Sequence, residues 1–574
     1  LSRMQGASKV FFIRERFNRY KPFFISIHPR QSTSHTCGEA FMQEYLTFLS
    51  IPALLVWLIL PVALLLLAAF SGWTSSSSKQ DHCWRIASRL FEASMVSTVM
   101  VGMLLLLGAG MPELGRQFGL YPDGLAVWMA LLVAFIGWVI LRYADNYLRG
   151  DPVRTRFLPW FLTTLASVLL LLFTDNLLVL AGAWVGVSLA LHHLLTLYGH
   201  RPEARLAALQ KCIISRVGDF CVISAVLLLY RHYGTFHLPE MLQMAGNGAY
   251  GTFALDAASV LFAVAAILKC AQIPFHGWLL RVMEAPTPVS ALLHAGVINL
   301  GGFLWLRLFP VFEGFTAGHL LLLTIGGLTA VVAVLAMMSQ SSVKHALAWS
   351  TSAQMGFMLF EIGMGAYTLA FLHLLAHSLY KAHSFLASGR TVAASSVMPI
   401  RNASTPLRLS WALTAGSVAA VVLWGIPSLA GNNPVLGGVL VLAISGAVAG
   451  IPSGTPIGNR LLLSSLALAL LPIYAALHWL VDPVLLQPMQ FQLPFSALVI
   501  GTLVLLTLLL LSSVIAFSPE GRVTTLLRIH VSHGFYLMLP FDRLTARLSR
   551  RIRDQHTDTL PSKSGLASLG EKSC

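Results

Sequence analysis

Three titratable side chains, His373, His377 and Lys381, stand four residues apart in the stretch HLLAHSLYKAHS. At 3.6 residues per turn this spacing stacks them on one stripe of a helix, over about two turns. Histidine titrates near neutrality and a desolvated lysine can be brought toward it, so such a stripe can pass a proton or cation along. Other candidates sit in neighbouring apolar runs. Lys269 is followed by Pro274 and Gly277, which break a helix and free backbone groups to line a hydrated cavity. His294 follows the pair Pro286 and Pro288, and Lys344 with His345 opens a further run. Charged groups inside a membrane span are expensive and usually mark an ion path. The expected ion relay is therefore Lys269, His294, Lys344, His373, His377 and Lys381. Asp219, in SRVGDF at the expected start of a helix, reads as a structural ion pair with Arg216 or with Lys211. The HxxxH spacing of His373 and His377 would suit zinc. Lys381 on the same stripe would repel the metal, however, and no carboxylate is close in sequence, so no metal site is expected. His192 and His193 remain unassigned. No phosphate loop, cofactor motif or nucleophile–base set stands out, which points away from an enzyme and from any cofactor.

The elements that must position these groups are membrane helices. Of the 574 residues 56% are hydrophobic and only 11% charged, too little polar surface for a soluble fold of this length. Apolar runs of membrane-crossing length recur along the chain, and in lipid their backbone groups must bond within the segment. An all-α polytopic membrane protein of about fifteen spans is expected. They lie near 50–70, 92–110, 124–142, 157–174, 176–197, 212–230, 256–275, 287–309, 319–338, 344–361, 366–388, 410–430, 435–450, 460–479 and 495–517. Alternate loops, starting after the first span, carry fifteen Lys and Arg against two in the other set, which makes the first set cytoplasmic. Residues 1–41 hold seven more on the wrong side, and the chain opens on Leu1. The expectation is a non-native or disordered extension over 1–41, with translation starting at Met42. Residues 521–574 form a basic cytoplasmic tail, of which Arg522 to Arg553 reads equally as an amphipathic helix on the membrane or on a partner and as a solvated basic tail. The net charge of +15 sits in loops and tails without an aromatic-studded face, so nucleic acid is not an expected partner. The six cysteines show no CxxC and read as packing residues.

LRGDPVRTRF, LLLLFTDNLLVLAGAW, ISRVGDF, KCAQIPFHGWLLRVMEAPTPVSALLHAG, VKHALAWSTSAQMGFM and HLLAHSLYKAHSFLASG resemble, in order, the proton-translocating antiporter-like family of complex I and Mrp membrane subunits. The resemblance implies two inverted five-helix repeats with broken seventh and twelfth helices. The corresponding divisions are 42–156 for three leading helices, 157–309 and 310–452 for the repeats, and 453–520 for the last helices. It also implies that Lys269 is the central relay lysine, with His294 beside it and His373, His377 and Lys381 as the link to the second repeat. Gly425 and Pro427 suit the second break. Two departures stand out. Complex I and Mrp subunits carry a glutamate just after a tryptophan in the fifth helix, whereas Trp184 is followed by Val185. Their twelfth helix carries a lysine or glutamate, whereas 410–430 has no charged residue. With AWVGVSLALHHLL and HAGVINLGGFLWLR, the chain looks most like the DabB branch, the membrane subunits of DAB inorganic carbon transporters. That likeness implies a bacterial inner-membrane protein with a DabA-like, zinc-containing peripheral partner, conducting H+ or Na+ to drive CO2 and bicarbonate uptake. Complex I-like and Mrp-type subunits are the alternatives, and a non-conducting scaffold is a third.

Overall fold

The apolar runs fold as helices, each closed by ordinary local chemistry. Asn176 caps the fifth span (Leu177–Leu195) by accepting from Leu178 N and Val179 N. Pro202 opens the sixth (Pro202–Tyr233), which Gly234 ends at φ +73°, a left-handed conformation that glycine adopts without strain. In this computed structural model the described residues are 37–74, 76–107, 119–199, 201–245, 252–312, 314–389, 406–425, 434–452, 454–482, 485, 493–517 and 529–558. Each of the fifteen expected spans overlaps a helix. Among the described residues nine helices are long and apolar enough to cross a membrane, and Leu409–Gly425, Pro434–Ala449 and Phe495–Leu511 are shorter apolar ones. The other three spans hold Lys269, Lys344 and the histidine stripe, and the seventh is short because its helix stops at Lys269 after 17 residues. Leu66, Phe220, Trp424, Leu462 and Leu510 lie more than half exposed on outer faces, an apolar belt suited to lipid.

Contacts between loops divide the molecule into two ends. On one, Arg154 bonds Asp81 at 2.8 Å, Tyr198 donates to Asp151, and Arg281 bonds Glu203. All of these belong to the basic set of loops. Burial, then the Asp151 carboxylate, pushes the Tyr198 phenol up to about 12, so it remains a donor at any working pH. On the opposite end Arg307 bonds Asp123 at 2.6 Å, Asn176 bridges His237, and Thr368 donates to Asp482. Two spans are broken, the seventh as expected and the eighth in addition. The seventh stops as a helix at Lys269 and resumes at Gly277–Arg281, with Ala271 at φ +50° between the parts. The eighth is interrupted at Gly296, between Thr287–Ala295 and Leu300–Leu308. The twelfth helix (Pro406–Gly425) ends at Gly425, and Pro427 lies outside the described residues.

Two expectations need correction. The sixth helix begins ten residues before the expected 212, so Lys211 is a buried helical residue and Asp219 lies mid-helix, 5% exposed, instead of at the membrane interface. Residues 529–558 are not a free solvated tail over their described length. Val531 packs with Leu280 and Trp349, Phe541 meets Phe275 edge to face, and Gln340 donates to Ser532 O. Asp542 fastens the segment by accepting from Arg281 and from Gln210, each at 2.8 Å. The segment thus closes one side of a cavity of about 500 Å³ on the basic end, lined also by Glu203, His345 and Trp349. Asp542→Ala removes two bonds worth together about 1–3 kcal/mol. Hydrogen exchange over 529–545 is expected to rise about tenfold or more; unchanged exchange would mean that apolar packing alone holds the segment. Residues 1–36, and with them most of the expected extension, lie outside the described residues, and the first helix runs Cys37–Trp73.

Candidate ion path

Lys269 ends the intact part of the seventh span, where the helix break leaves it facing the fifth and sixth spans. Its Nζ donates to Ser188 Oγ at 3.4 Å and stands 4.4 Å over the Trp184 ring. The Ser188 hydroxyl in turn donates to Asp219 Oδ1 at 3.4 Å, and Asp219 Oδ2 pairs with Arg216 at 2.6 Å. Lys211 donates to the Ser188 carbonyl. One serine therefore joins two buried lysines and a carboxylate. Beside Lys269 lies a cavity of about 20 Å³, also bounded by Ser188, Lys211, Leu293 and Val297, large enough for one water. The Asp219–Arg216 pair is present as expected, but Asp219 also reaches the lysine through Ser188. Where Val185 offers no carboxylate, Asp219 of the next helix lies one hydroxyl away from Lys269.

A second group forms on the tenth (Val343–Gly363) and eleventh (Tyr367–Leu386) spans. His294 Nδ1 lies 3.1 Å from Thr351 Oγ1 and its ring stacks on Phe385. The Thr351 hydroxyl donates to Leu347 O, and Lys381 Nζ donates to the same oxygen at 3.2 Å. This assigns Nδ1 of His294 as the donor to Thr351. A continuous line of polar atoms thus joins His294 to Lys381 along one face of the tenth helix. His294 is fully buried between Leu293 and Ala295, and Leu293 also bounds the Lys269 cavity, so the two groups adjoin. One turn above Lys381, His377 is buried with neither ring nitrogen partnered among the described residues, a site that water or a passing ion could complete. His373 is one turn further, its ring 6.3 Å from that of His377. Lys344 sits half-buried in the first turn of the tenth helix and makes no hydrogen bond or ion pair among the described residues. Of the six expected relay residues the structure brings five into two adjoining groups and leaves Lys344 at the basic end.

Sequence reasoning missed Ser188, Thr351, Gln354 and Glu361, and took Lys211 for a loop residue. Glu361 is the clearest loss. It is 6% exposed and its Oε2 lies 2.9 Å from His373 Nδ1. No carboxylate is close to the histidines in sequence, but the turn between the tenth and eleventh helices folds Glu361 back beside His373. The signal was available, since Glu361 is the one acidic residue in the tenth span. Ser188 could have been found as the polar side chain one helical turn beyond Trp184.

The family described as "NADH:quinone oxidoreductase/Mrp antiporter, TM" matches residues 174–447, and "NADH-Ubiquinone oxidoreductase (complex I), chain 5 N-terminus" matches 111–158. The chain is 38% identical over 358 residues to "Probable inorganic carbon transporter subunit DabB" of Hydrogenovibrio crunogenus, covering 62% of this chain and 68% of that one. It is 33% identical over 540 residues to "Probable inorganic carbon transporter subunit DabB2" of Halothiobacillus neapolitanus, covering 89% and 96%. "NADH-quinone oxidoreductase subunit L" of Pseudomonas aeruginosa matches at 36% over 286 residues, 49% of this chain and 46% of the relative. With one relative matched over nearly its whole length, the chain belongs to the DabB group of membrane subunits within the complex I and Mrp antiporter-like family.

Proposed function

We propose that this protein is the membrane subunit of an energy-coupled inorganic carbon uptake complex in a bacterial inner membrane. It is a transporter subunit and not itself an enzyme. The observation that carries this reading is the match along 96% of a relative named as a probable inorganic carbon transporter subunit. The buried line from Lys269 to His373 supplies the means. Ions, H+ or Na+, run inward along it and drive a DabA-like, zinc-containing peripheral partner that hydrates CO2. The basic end, with Arg281, Lys344 and the docked C-terminal segment, faces the cytoplasm in this reading.

Mass spectrometry of proteins co-purifying from gently solubilised native membranes tests it. The expected result is one large soluble protein containing zinc, in constant ratio to this chain. Recovery with quinone-reducing and iron–sulfur subunits, or with a set of small antiporter subunits, would overturn the reading in favour of a complex I-like or Mrp-type assembly.

A further inference from the structure

Resting on the ion-conducting reading above, we infer that the path reaches the end opposite the basic loops through Glu361 and the fourteenth helix (Ile457–Val481), and not through the twelfth. Beyond Arg408 in its first turn, at the basic end, the twelfth helix has no charged residue to carry an ion. The hydroxyls of Thr414 and Ser417 are spent on its own backbone, on Trp411 O and Leu413 O. Its main neighbours are Pro434–Ala449 and the fourteenth helix, and Leu413, Val421 and Trp424 face outward.

The eleventh helix packs instead on the fourteenth, and polar groups continue across that contact. His373 Nε2 lies 2.8 Å from Gln354 Oε1, which holds a proton on that nitrogen and leaves Nδ1 as the exchangeable site, facing Glu361. Tyr474 of the fourteenth helix lies within electrostatic reach of both Glu361 and Asp482. The Tyr474 and His478 rings are 5.7 Å apart, and His478 Nε2 is 3.9 Å from Asp482 Oδ1. Asp482, with its side chain 43% exposed, closes the helix at the end opposite the basic loops. It is also the next acidic residue in the chain after Glu361, so the acids on either side of a long acid-free stretch both lie within electrostatic reach of Tyr474. In the inward direction a protonated Glu361 gives its proton to His373 Nδ1, leaving a carboxylate and an imidazolium. The imidazolium passes the charge toward His377 and Lys381, and Glu361 is reprotonated from the Asp482 side.

The test compares variants of the full chain with its native partners in membrane vesicles, following proton flux with a pH-sensitive dye and sodium flux with labelled Na+. Glu361→Gln keeps an acceptor for His373 and nearly the same shape, so a purely structural role would survive it. The expected result is at least a tenfold loss of flux at unchanged protein level, a smaller loss in Glu361→Asp, and normal flux in Thr414→Ala and Ser417→Ala. Asp482→Cys should be modified by a membrane-impermeant sulfonate thiol reagent applied from the end opposite the basic loops, with flux falling on modification. Lys269→Ala separates the two readings. If it abolishes flux while Glu361→Gln does not, this route is wrong and the ion-conducting reading stands. If Lys269→Ala conducts normally, the relay itself falls and this inference falls with it.

Discussion

Lys269→Ala is expected to abolish accumulation of radiolabelled inorganic carbon by cells, a loss of about a hundredfold or more, while the complex is recovered at normal yield. The argument for both halves is structural. The Lys269 ammonium meets a hydroxyl at 3.4 Å and an aromatic face, and among the described residues no direct ion pair to a carboxylate holds it. Alanine therefore strands no buried countercharge, since Asp219 keeps its 2.6 Å bond to Arg216. The helix break that follows is set by Ala271 and the residues up to Gly277, which the substitution does not touch. What disappears is the one ionisable group between the Ser188 cluster and the His294 line. Lys269→Arg should fail almost as completely, because a guanidinium retains its proton under all working conditions. Accumulation and co-purification, measured on the same preparations, decide the matter. Normal accumulation by Lys269→Ala would remove it from the path, and loss of the complex would make it a packing residue.

The largest loss of folded protein is expected from Gly356→Leu. The ninth (Ala317–Met338) and tenth helices cross with their backbones touching. A Cβ on Gly356 would stand 2.7 Å from Gly326 O and 2.8 Å from Ala330 N, and one on Gly326 would stand 2.7 Å from Gly356 O. Neither neighbour is a side chain that can turn away. The helices must move apart, at a cost of about 3 kcal/mol or more, and small residues at such crossings are what membrane helix packing depends on. The tenth helix carries Leu347, Thr351, Gln354 and Glu361, so the relay is lost together with the fold. Size-exclusion yield in mild detergent and the melting temperature should both fall sharply. Gly446→Ala, where nothing lies within 4 Å of the added carbon, should leave both unchanged. A Gly356→Leu protein of normal yield would show that this crossing is not tightly held.

Hydrophobicity was enough to place the fifteen helices, because lipid leaves a spanning chain little other choice. The seventh, tenth and eleventh spans are weaker as spans for two reasons: the seventh helix stops at Lys269 after 17 residues, and the tenth and eleventh carry polar side chains that include Lys344 and the histidine stripe. Boundaries were less legible. PEARLAALQK reads as loop by its charges, yet it continues the sixth helix, and this misplaced Lys211 and Asp219. Glu361 was hidden by distance along the chain, since its partner His373 lies beyond a turn. The C-terminal segment was readable as amphipathic but not as to what it covers. Its apolar side could serve lipid, a partner or its own bundle equally well, and the choice depends on Gln210 and Arg281, hundreds of residues earlier.

That last contact has a consequence for the order in which the protein is made. A ribosome delivers Gln210, Arg281 and Trp349 to the membrane well before Val531, Met538 and Asp542 exist. Until those residues emerge, the cavity beneath Trp349 lacks one of its sides and the broken end of the seventh helix stands uncovered. A chain not yet extended past Asp542 is thus an open one, and making this segment is also the step that closes the basic end.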